Sequence, residues 1–295
     1  MRIATFWYDG MRLVGRVSTD GSMITQFFLG GRGHEVGALA LMERLSAGEC
    51  LEQGAPLPLS EVRLDAPLPH PRRNIFCIGK NYRAHAQEFA RSGFDSSSAK
   101  AGDEVPSDPI IFSKVPETVI PPGAPIKIPA GVSEAVDYEA ELAVVIGRGG
   151  RGITAEQAME HVWGYTIIND VTARDWQSRH RQWLLGKSFD TFCPMGPWLV
   201  SADELDGTDT RVRCWVNGEL RQDGRTSDFI FTIPQLIQTI SAGVTLYPGD
   251  IIATGTPAGV GIGFDPPRYL KPGDRVRIEI DGLGVLENPV EQGYE

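Results

Sequence analysis

The segment that decides the fold is Val136-Asp137-Tyr138-Glu139-Ala140-Glu141-Leu142-Ala143-Val144-Val145-Ile146. Successive side chains of a β-strand point to opposite faces, so the alternation predicts a strand over 136–146. Asp137, Glu139 and Glu141 share one face, and the alternate residues from Tyr138 to Ile146 form an apolar face. Beyond Glu141 both faces are apolar, which indicates that the strand runs into the interior. Neighbouring carboxylates at such a burial boundary repel one another unless a positive group lies between them.

A second acidic position follows another apolar run, Tyr165-Thr166-Ile167-Ile168-Asn169-Asp170. Glu139, Glu141 and Asp170 offer only oxygen ligands, which suits a hard cation such as Mg²⁺ or Mn²⁺, and Ca²⁺ is a further candidate in a crystal. Water or substrate would complete the coordination octahedron. The alternative is that the two glutamates are solvated strand residues and that Asp170 begins a turn.

Two further groups are suited to acid–base or electrostatic chemistry. His85 and Glu88 are three residues apart on a short predicted helix, so they can face the same space. A carboxylate beside a histidine supports a general base. Lys187, in Gly186-Lys187-Ser188-Phe189-Asp190, suits an anionic substrate or a developing enolate. The alternative for each is a surface side chain without a catalytic role.

Composition disfavours several other classes of protein. The 295 residues contain 28 Lys and Arg against 38 Asp and Glu, a formal net charge of −10, which argues against a binder of nucleic acid or of anionic membranes. The four cysteines form no C-x-x-C pair, so a zinc knuckle or a thioredoxin-type motif is not expected. The sequence shows neither a signal-peptide pattern nor an apolar run of membrane-span length. We therefore expect a cytoplasmic protein with free thiols.

The chain divides into two predicted parts. Residues 1–70 combine short apolar runs with Asp9-Gly10 and Asp20-Gly21, dipeptides that predict hairpin turns in a small β-rich domain. A Pro-rich stretch places the boundary near residue 70, and 71–295 form the larger domain. Beyond Pro194 the pattern predicts mostly short strands and turns. The predicted helices are Val36–Leu45, Tyr82–Arg91, Ala155–Val162 and Pro234–Ser241.

A glycine-rich segment supports a rival hypothesis. Gly147-Arg148-Gly149-Gly150-Arg151-Gly152 matches the G-x-G-x-x-G pattern of a dinucleotide-binding fold, and an NAD-linked oxidoreductase would follow from it. Against this, a parallel strand covered on both faces should not carry Glu139 and Glu141. The sequence after Pro194 also lacks the alternating strand–helix units of a doubly wound sheet. A tight strand-to-helix connection is therefore the preferred interpretation.

Taken together, five segments resemble, in order, the fumarylacetoacetate hydrolase family. They are Phe76-Cys77-Ile78-Gly79-Lys80-Asn81-Tyr82 with His85 and Glu88; Asp137-Tyr138-Glu139-Ala140-Glu141-Leu142; Asn169-Asp170-Val171-Thr172-Ala173-Arg174-Asp175 with Gln177; Gly186-Lys187-Ser188-Phe189-Asp190; and Gly249-Asp250-Ile251-Ile252-Ala253-Thr254-Gly255-Thr256-Pro257-Ala258-Gly259-Val260-Gly261. The resemblance covers about residues 70–290. It implies a mixed α/β, β-rich fold, namely a mixed β-sandwich roll with a small N-terminal β-rich domain. It also implies a homodimer that binds Mg²⁺ or Mn²⁺.

The resemblance further implies a role for each matching residue. The implied roles are metal ligation by Glu139, Glu141 and Asp170, water activation by His85 and Glu88, charge stabilisation by Lys187, and substrate contacts from Arg174, Gln177 and Thr256. The polar loop Phe94–Pro109 is longer than in compact members of the family and is a candidate lid.

The implied reaction is the metal-dependent hydrolysis of a C–C bond in an acylpyruvate, a small 2,4-dioxo acid. The substrate would chelate the cation through its carboxylate and keto oxygens, while the cation and Lys187 stabilise the departing enolate. The same site suits oxaloacetate decarboxylation, or isomerisation and decarboxylation of hydroxymuconate-type dioic acids, and family resemblance does not choose among them. Outside the family, the alternatives are the NAD-linked oxidoreductase and a non-catalytic, carboxylate-rich cation-binding domain.

Overall fold

The computed structural model describes residues 1–30, 35–91 and 105–293, so most of the predicted lid, residues 94–104, lies outside the described residues. The described residues form nineteen strands, β1 to β19 in chain order: Arg2–Tyr8, Met11–Val17, Met23–Phe27, Gln53–Pro58, Arg63–Leu64, Ile75–Gly79, Ile110–Lys114, Val119–Ile120, Ile126–Ile128, Val136–Asp137, Ala140–Ile146, Val162–Asn169, Thr172–Ala173, Cys193–Ser201, Arg211–Val216, Glu219–Arg225, Ile251–Ala253, Arg275–Ile280 and Gly284–Gln292. The α-helices, α1 to α5, are Ala38–Ser46, Arg83–Arg91, Arg174–Arg179, Leu184–Lys187 and Ile233–Ser241. None of these helices is long and apolar enough to cross a membrane. The mixed α/β, β-rich class expected from the sequence is confirmed.

Two large sheets dominate the fold. The larger sheet runs in the order β4-β3-β2-β1-β14-β12-β11-β17-β6-β7, with β5 paired to β1 and β8 paired to β14. The second sheet has the order β16-β15-β18-β19-β9. The N-terminal strands belong to the larger sheet, because β1 pairs antiparallel with β14 through Arg2 and Ile3. The domain boundary near residue 70 stays a prediction, and the strands on its two sides share one sheet.

Strand β11 lies inside the larger sheet and is buried on both faces. Leu142, Val144 and Ile146 pack into the core that faces the second sheet. Ala143 and Val145 pack into the core on the opposite face, which also contains α1. The expected run of this segment into the interior is therefore confirmed, and the core around β11 provides a rigid support for the residues at its start.

The strand predicted over 136–146 is interrupted. β10 ends at Asp137 and β11 begins at Ala140. Between them, the Glu139 amide donates to the side-chain oxygen of Asn169 (3.0 Å), and the Asp170 amide donates to the Glu139 carbonyl (2.8 Å). β10 pairs with β13 in a separate two-stranded sheet. The break therefore turns Asp137 away from the two glutamates that follow it in the sequence.

Several local predictions are confirmed. Asp9 and Gly10 have φ of 47° and 74° in the turn between β1 and β2, the left-handed conformation that an Asx-Gly hairpin turn requires. Helix α5 begins after Thr232, whose amide donates to the side chain of Gln235 (2.8 Å) and so caps the helix. The four cysteines are free thiols, and only Cys50 is exposed.

The dinucleotide-binding hypothesis is wrong, because the strand directions contradict it. β11, which precedes the glycine segment 147–152, is antiparallel to both β12 and β17. A dinucleotide-binding unit needs parallel strands joined through a helix. The helix predicted over Ala155–Val162 is also wrong, since a 3₁₀ turn covers Ala158–His161 and β12 begins at Val162.

Candidate metal centre and active site

Three carboxylates converge where β11 and β12 meet. Glu139 immediately precedes β11, Glu141 lies in it, and Asp170 follows β12. The antiparallel ladder places Ala140 opposite Asn169, which brings the acidic residues beside these two positions together. One carboxylate oxygen from each side chain lies within 4.8 Å of the others, and all three residues are buried. The predicted grouping of these carboxylates is therefore present in the fold.

Two of the carboxylates are neutralised by buried cations. Lys187 Nζ lies 2.8 Å from Glu139 Oε2 and 2.7 Å from Asp170 Oδ2, so it bridges both groups. Arg174 Nη2 lies 2.8 Å from Glu139 Oε1, and Lys114 Nζ lies 2.8 Å from Asp170 Oδ1. Although burial raises the pKa of Glu139, Lys187 and Arg174 lower it to about 2. Glu139 is therefore held as a carboxylate.

Glu141 has different surroundings. Its Oε2 accepts a hydrogen bond from the Gly255 amide (2.9 Å), and among the described residues it forms no ion pair. Burial, followed by repulsion from Asp170 and Glu139, raises the pKa of Glu141 well above its ordinary value of 4.5. A divalent cation among the three carboxylates would supply the missing positive charge. The donors are all oxygens, which Mg²⁺ and Mn²⁺ prefer, so the residues fit a buried metal site.

Arg174, at the start of α3, is fully buried and held by its neighbours. Its Nε donates to Asp137 Oδ2 (2.9 Å), and its Nη1 donates to Gln177 Oε1 (3.2 Å). Asp137 also accepts hydrogen bonds from the amides of Gly261 (2.6 Å) and Ile262 (3.1 Å). Asp137 therefore anchors the arginine rather than joining the carboxylate group.

Helix α2 carries the predicted acid–base pair. His85 Nδ1 lies 3.3 Å from Glu88 Oε2, and both residues are largely buried. Glu88 also accepts a hydrogen bond from the Gly259 amide, at 3.0 and 3.1 Å to its two oxygens. A Cβ at Gly263 would lie 2.0 Å from Glu88 Oε1, so the glycine makes room for the carboxylate. Glu88 is fixed from two sides, and it orients the imidazole.

One pocket joins the imidazole to the metal-site residues. Its lining comprises Ile78, Gly79, Lys80, His85, Phe89, Phe112, Glu139, Arg174, Gln177, Trp183, Lys187 and Thr256. Cations lie over its aromatic rings: Lys187 Nζ is 4.9 Å from the Phe112 centroid, and the Arg174 guanidinium carbon is 5.7 Å from the Phe89 centroid. The pocket thus combines one imidazole, several cations and an aromatic wall. Of the predicted residues, Glu88, Glu141 and Asp170 do not line it and lie beside residues that do.

Thr256 has a structural partner as well as a place in the pocket wall. Its hydroxyl donates to the Ala140 carbonyl (2.9 Å) and accepts from Gln222 Nε2 (2.7 Å). Gln222 Oε1 in turn accepts from the Ala140 amide (3.0 Å). These bonds tie the second sheet to the start of β11. Substrate contacts from Thr256, Arg174 and Gln177 stay predictions.

Sequence reasoning missed Lys114 and the anchoring role of Asp137. Lys114 ends the apolar strand β7 and has no exposed surface. The sequence did carry a signal for Lys114, because a charged residue at the end of a buried strand needs a partner of opposite charge. Asp170 closes β12 in the same way, but no local pattern indicates that these two strand ends meet.

Comparisons with known proteins agree with this geometry. The family model for the fumarylacetoacetate (FAA) hydrolase C-terminal region matches residues 74–291. The chain belongs to the fumarylacetoacetate hydrolase family. The match contains β6 to β18 and every candidate site residue named above, so the resemblance inferred from the five segments is confirmed.

Relatives within the family carry out different reactions. Oxaloacetate tautomerase YisK from Bacillus subtilis is 52% identical over 233 residues, which are 79% of this chain and 74% of that protein. A structure of fumarylacetoacetate hydrolase from Exiguobacterium antarcticum superposes with a TM-score of 0.83 at 39% identity, covering 99% of this chain and 100% of that chain. Maleylpyruvate hydrolase from Sphingobium sp. SYK-6, in complex with manganese (II) and pyruvate, gives 0.76 at 31% identity and covers both chains fully. This chain is thus a family enzyme with a buried acidic metal site, and the family alone does not make it a hydrolase.

Proposed function

We propose that this chain is a metal-dependent tautomerase that interconverts the keto and enol forms of oxaloacetate or a closely similar 2-oxo dicarboxylate. One observation carries the proposal: a histidine held by a carboxylate and a lysine ammonium share a pocket with the buried acidic site. The likeness to an oxaloacetate tautomerase supports this reaction over the hydrolysis that the sequence resemblance implied. Mg²⁺ or Mn²⁺ is the proposed cation, bound by Glu139, Glu141 and Asp170.

Tautomerisation moves one proton and one electron pair. The C3–H bond breaks, its electrons form the C2=C3 double bond, and the C2 carbonyl oxygen takes up a proton. The reaction needs a base at C3 and positive charge near the C2 oxygen. We assign the base to His85, which Glu88 orients, and the charge stabilisation to Lys187. A bound divalent cation supplies Lewis-acid polarisation of the 2-oxo acid.

With a metal bound, the charges of the pocket suit an anionic substrate. Arg174 and Lys187 line the pocket but are paired with Asp137, Glu139 and Asp170, and Lys80 adds a further cation. A divalent cation would leave the site with a positive surplus, which favours an acid that carries carboxylates. In this proposal, Arg174 and Gln177 contact the substrate beside the base.

Acylpyruvate hydrolysis is the second candidate. It is favoured by the likeness to maleylpyruvate hydrolase and by the His85–Glu88 pair, which could polarise an attacking water. Oxaloacetate decarboxylation needs the same electron sink without that water. The homodimer and the cytoplasmic location expected from the sequence also stay predictions.

The deciding experiment follows the decay of enol-oxaloacetate absorbance in the presence of Mn²⁺, with pyruvate release and acylpyruvate cleavage measured in parallel. The wild-type protein should accelerate tautomerisation, and His85→Ala should lower kcat by about 10²- to 10⁴-fold. His70→Ala, which changes an exposed histidine, is the control. Acylpyruvate cleavage without faster tautomerisation would replace this proposal with hydrolysis.

A further inference from the structure

Lys114 is a buried charge at the site to which the proposed reaction assigns no task. It ends β7, has no exposed surface, and pairs with Asp170 Oδ1 at 2.8 Å. The same ammonium donates to the Val171 carbonyl (3.0 Å) and to the Lys187 carbonyl. It therefore connects the end of β12 to the end of α4. A lysine is seldom buried this fully unless its partners compensate for the lost hydration.

The two oxygens of Asp170 face different lysines. Oδ1 is paired with Lys114, whereas Oδ2 lies 2.7 Å from Lys187, which also contacts Glu139. Oδ2 is thus the oxygen on the side of the other site carboxylates. Oδ1 is on the side of β7, where Lys114 attracts it as an ion pair rather than through a directional hydrogen bond.

The space behind Asp170 is closed by protein. Cys77 and Cys193 are fully buried there, and burial raises the pKa of the Cys193 thiol to about 12, with Lys114 and Asp170 close enough to change it. Among the described residues, Lys114 and Lys187 are the cationic side chains that pair with Asp170. In such surroundings the attraction between Oδ1 and the Lys114 ammonium is weakly screened, so rotating the carboxylate away from it is costly.

We propose that Lys114 restricts Asp170 to one ligand oxygen, and that the metal site therefore prefers small octahedral cations such as Mn²⁺ and Mg²⁺ over Ca²⁺. Ca²⁺ takes about 6–8 oxygen ligands at about 2.3–2.6 Å and commonly uses both oxygens of a carboxylate. Mg²⁺ requires a near-octahedral shell at about 2.0–2.1 Å, which single oxygens supply more readily. Lys114 acts through Asp170 and is a positioning residue. The inference concerns cation choice: it rests on the metal site proposed above, but not on the reaction assigned to that site.

The first test measures cation affinity, not turnover. Metal-free wild-type and Lys114→Met proteins are titrated with MnCl₂ and with CaCl₂ by calorimetry. The loss of one positive charge should strengthen binding of both divalent cations alike, so the ratio of the two affinities isolates the coordination effect. The preference for Mn²⁺ over Ca²⁺ should fall at least tenfold in the variant. Lys271→Met, which removes an exposed lysine, should leave the ratio unchanged.

An unchanged ratio in a folded Lys114→Met protein would overturn the proposal. A second measurement needs no variant and decides the matter if Lys114→Met does not fold. Crystals of the wild-type protein grown with Mn²⁺, and separately with Ca²⁺, should show Asp170 ligating through Oδ2 alone while Oδ1 stays on Lys114. Bidentate ligation by Asp170 with either cation would refute the inference. Neither measurement uses tautomerase activity. The proposed reaction could therefore fail without changing the outcome of this test.

Discussion

Glu141→Gln should make the metal-free protein more stable and remove its response to metal. The buried charges of the site are the acids Asp137, Glu139, Glu141 and Asp170 and the bases Lys80, Lys114, Arg174 and Lys187. Among the described residues, Glu141 is the one of these acids that forms no ion pair. Glutamine has the same shape, and its side-chain oxygen can still accept the hydrogen bond from Gly255.

The expected stabilisation is modest but measurable. Removing an unfavourable charge from a functional site commonly adds about 0.5–2 kcal/mol, and each kcal/mol raises the Tm of a chain of this size by about 2–4 °C. Because burial and repulsion raise the folded-state pKa of Glu141 above 4.5, the unfolded chain loses this proton first. The wild-type protein therefore loses stability as the pH rises from 4.5 towards the folded-state pKa, and the variant does not. The advantage of the variant should therefore grow as the pH rises above 4.5.

Bound metal should make the wild-type protein more stable than Glu141→Gln, which is the reverse of the order expected without metal. A ligand at 100 times its Kd adds about 2.7 kcal/mol to the folded state, which is roughly 5–10 °C of Tm for the wild-type protein. Glu141→Gln lacks one of the three acidic ligands and should gain little. Thermal unfolding followed by circular dichroism, in EDTA and in MnCl₂, measures both effects, with the exposed Glu160→Gln as the control. A metal-free variant that melts below the wild-type protein and still gains the full Mn²⁺ shift would refute the reasoning.

Three further predictions concern the surroundings of the site. Gly263→Ala places a methyl group where Glu88 lies, so kcat should fall at least tenfold while the Mn²⁺-dependent Tm shift is retained; full activity would show that Glu88 need not hold its position. Leu142→Ala, in the centre of β11, should lower the free energy of unfolding by about 2–5 kcal/mol in urea titrations, and a loss below about 1 kcal/mol would mean that the core closes the cavity. Arg73→Gln leaves the buried Asp250 without its ion pair and should destabilise the protein by about 1–3 kcal/mol in the same titrations, and adding Asp250→Asn should recover part of that loss.

The pairs that act within one element were accessible from the sequence. His85 and Glu88 lie one helical turn apart, and the fold places them in contact, because i,i+3 neighbours on a helix share a face whatever surrounds them. The alternation from Tyr138 to Ile146 likewise predicted a buried strand, and both its faces are in the core. The predicted strand breaks after Asp137 for a physical reason. The Glu139 amide donates its hydrogen bond to the side chain of Asn169, at the end of β12, and not to the backbone of a neighbouring strand.

By itself, the sequence determined many of the short strands and turns and the helices α1, α2 and α5, and which oxygen-bearing side chains are available to a cation. These properties follow from side-chain periodicity and from local backbone geometry, and both act over a few residues. Only the tertiary structure decided how the charges are paired: Lys114 with Asp170, Arg174 with Asp137, and Glu141 with no cation among the described residues. The physical reason is that buried ion pairs depend on distances of a few ångströms between elements far apart in the chain, and no local pattern encodes those distances.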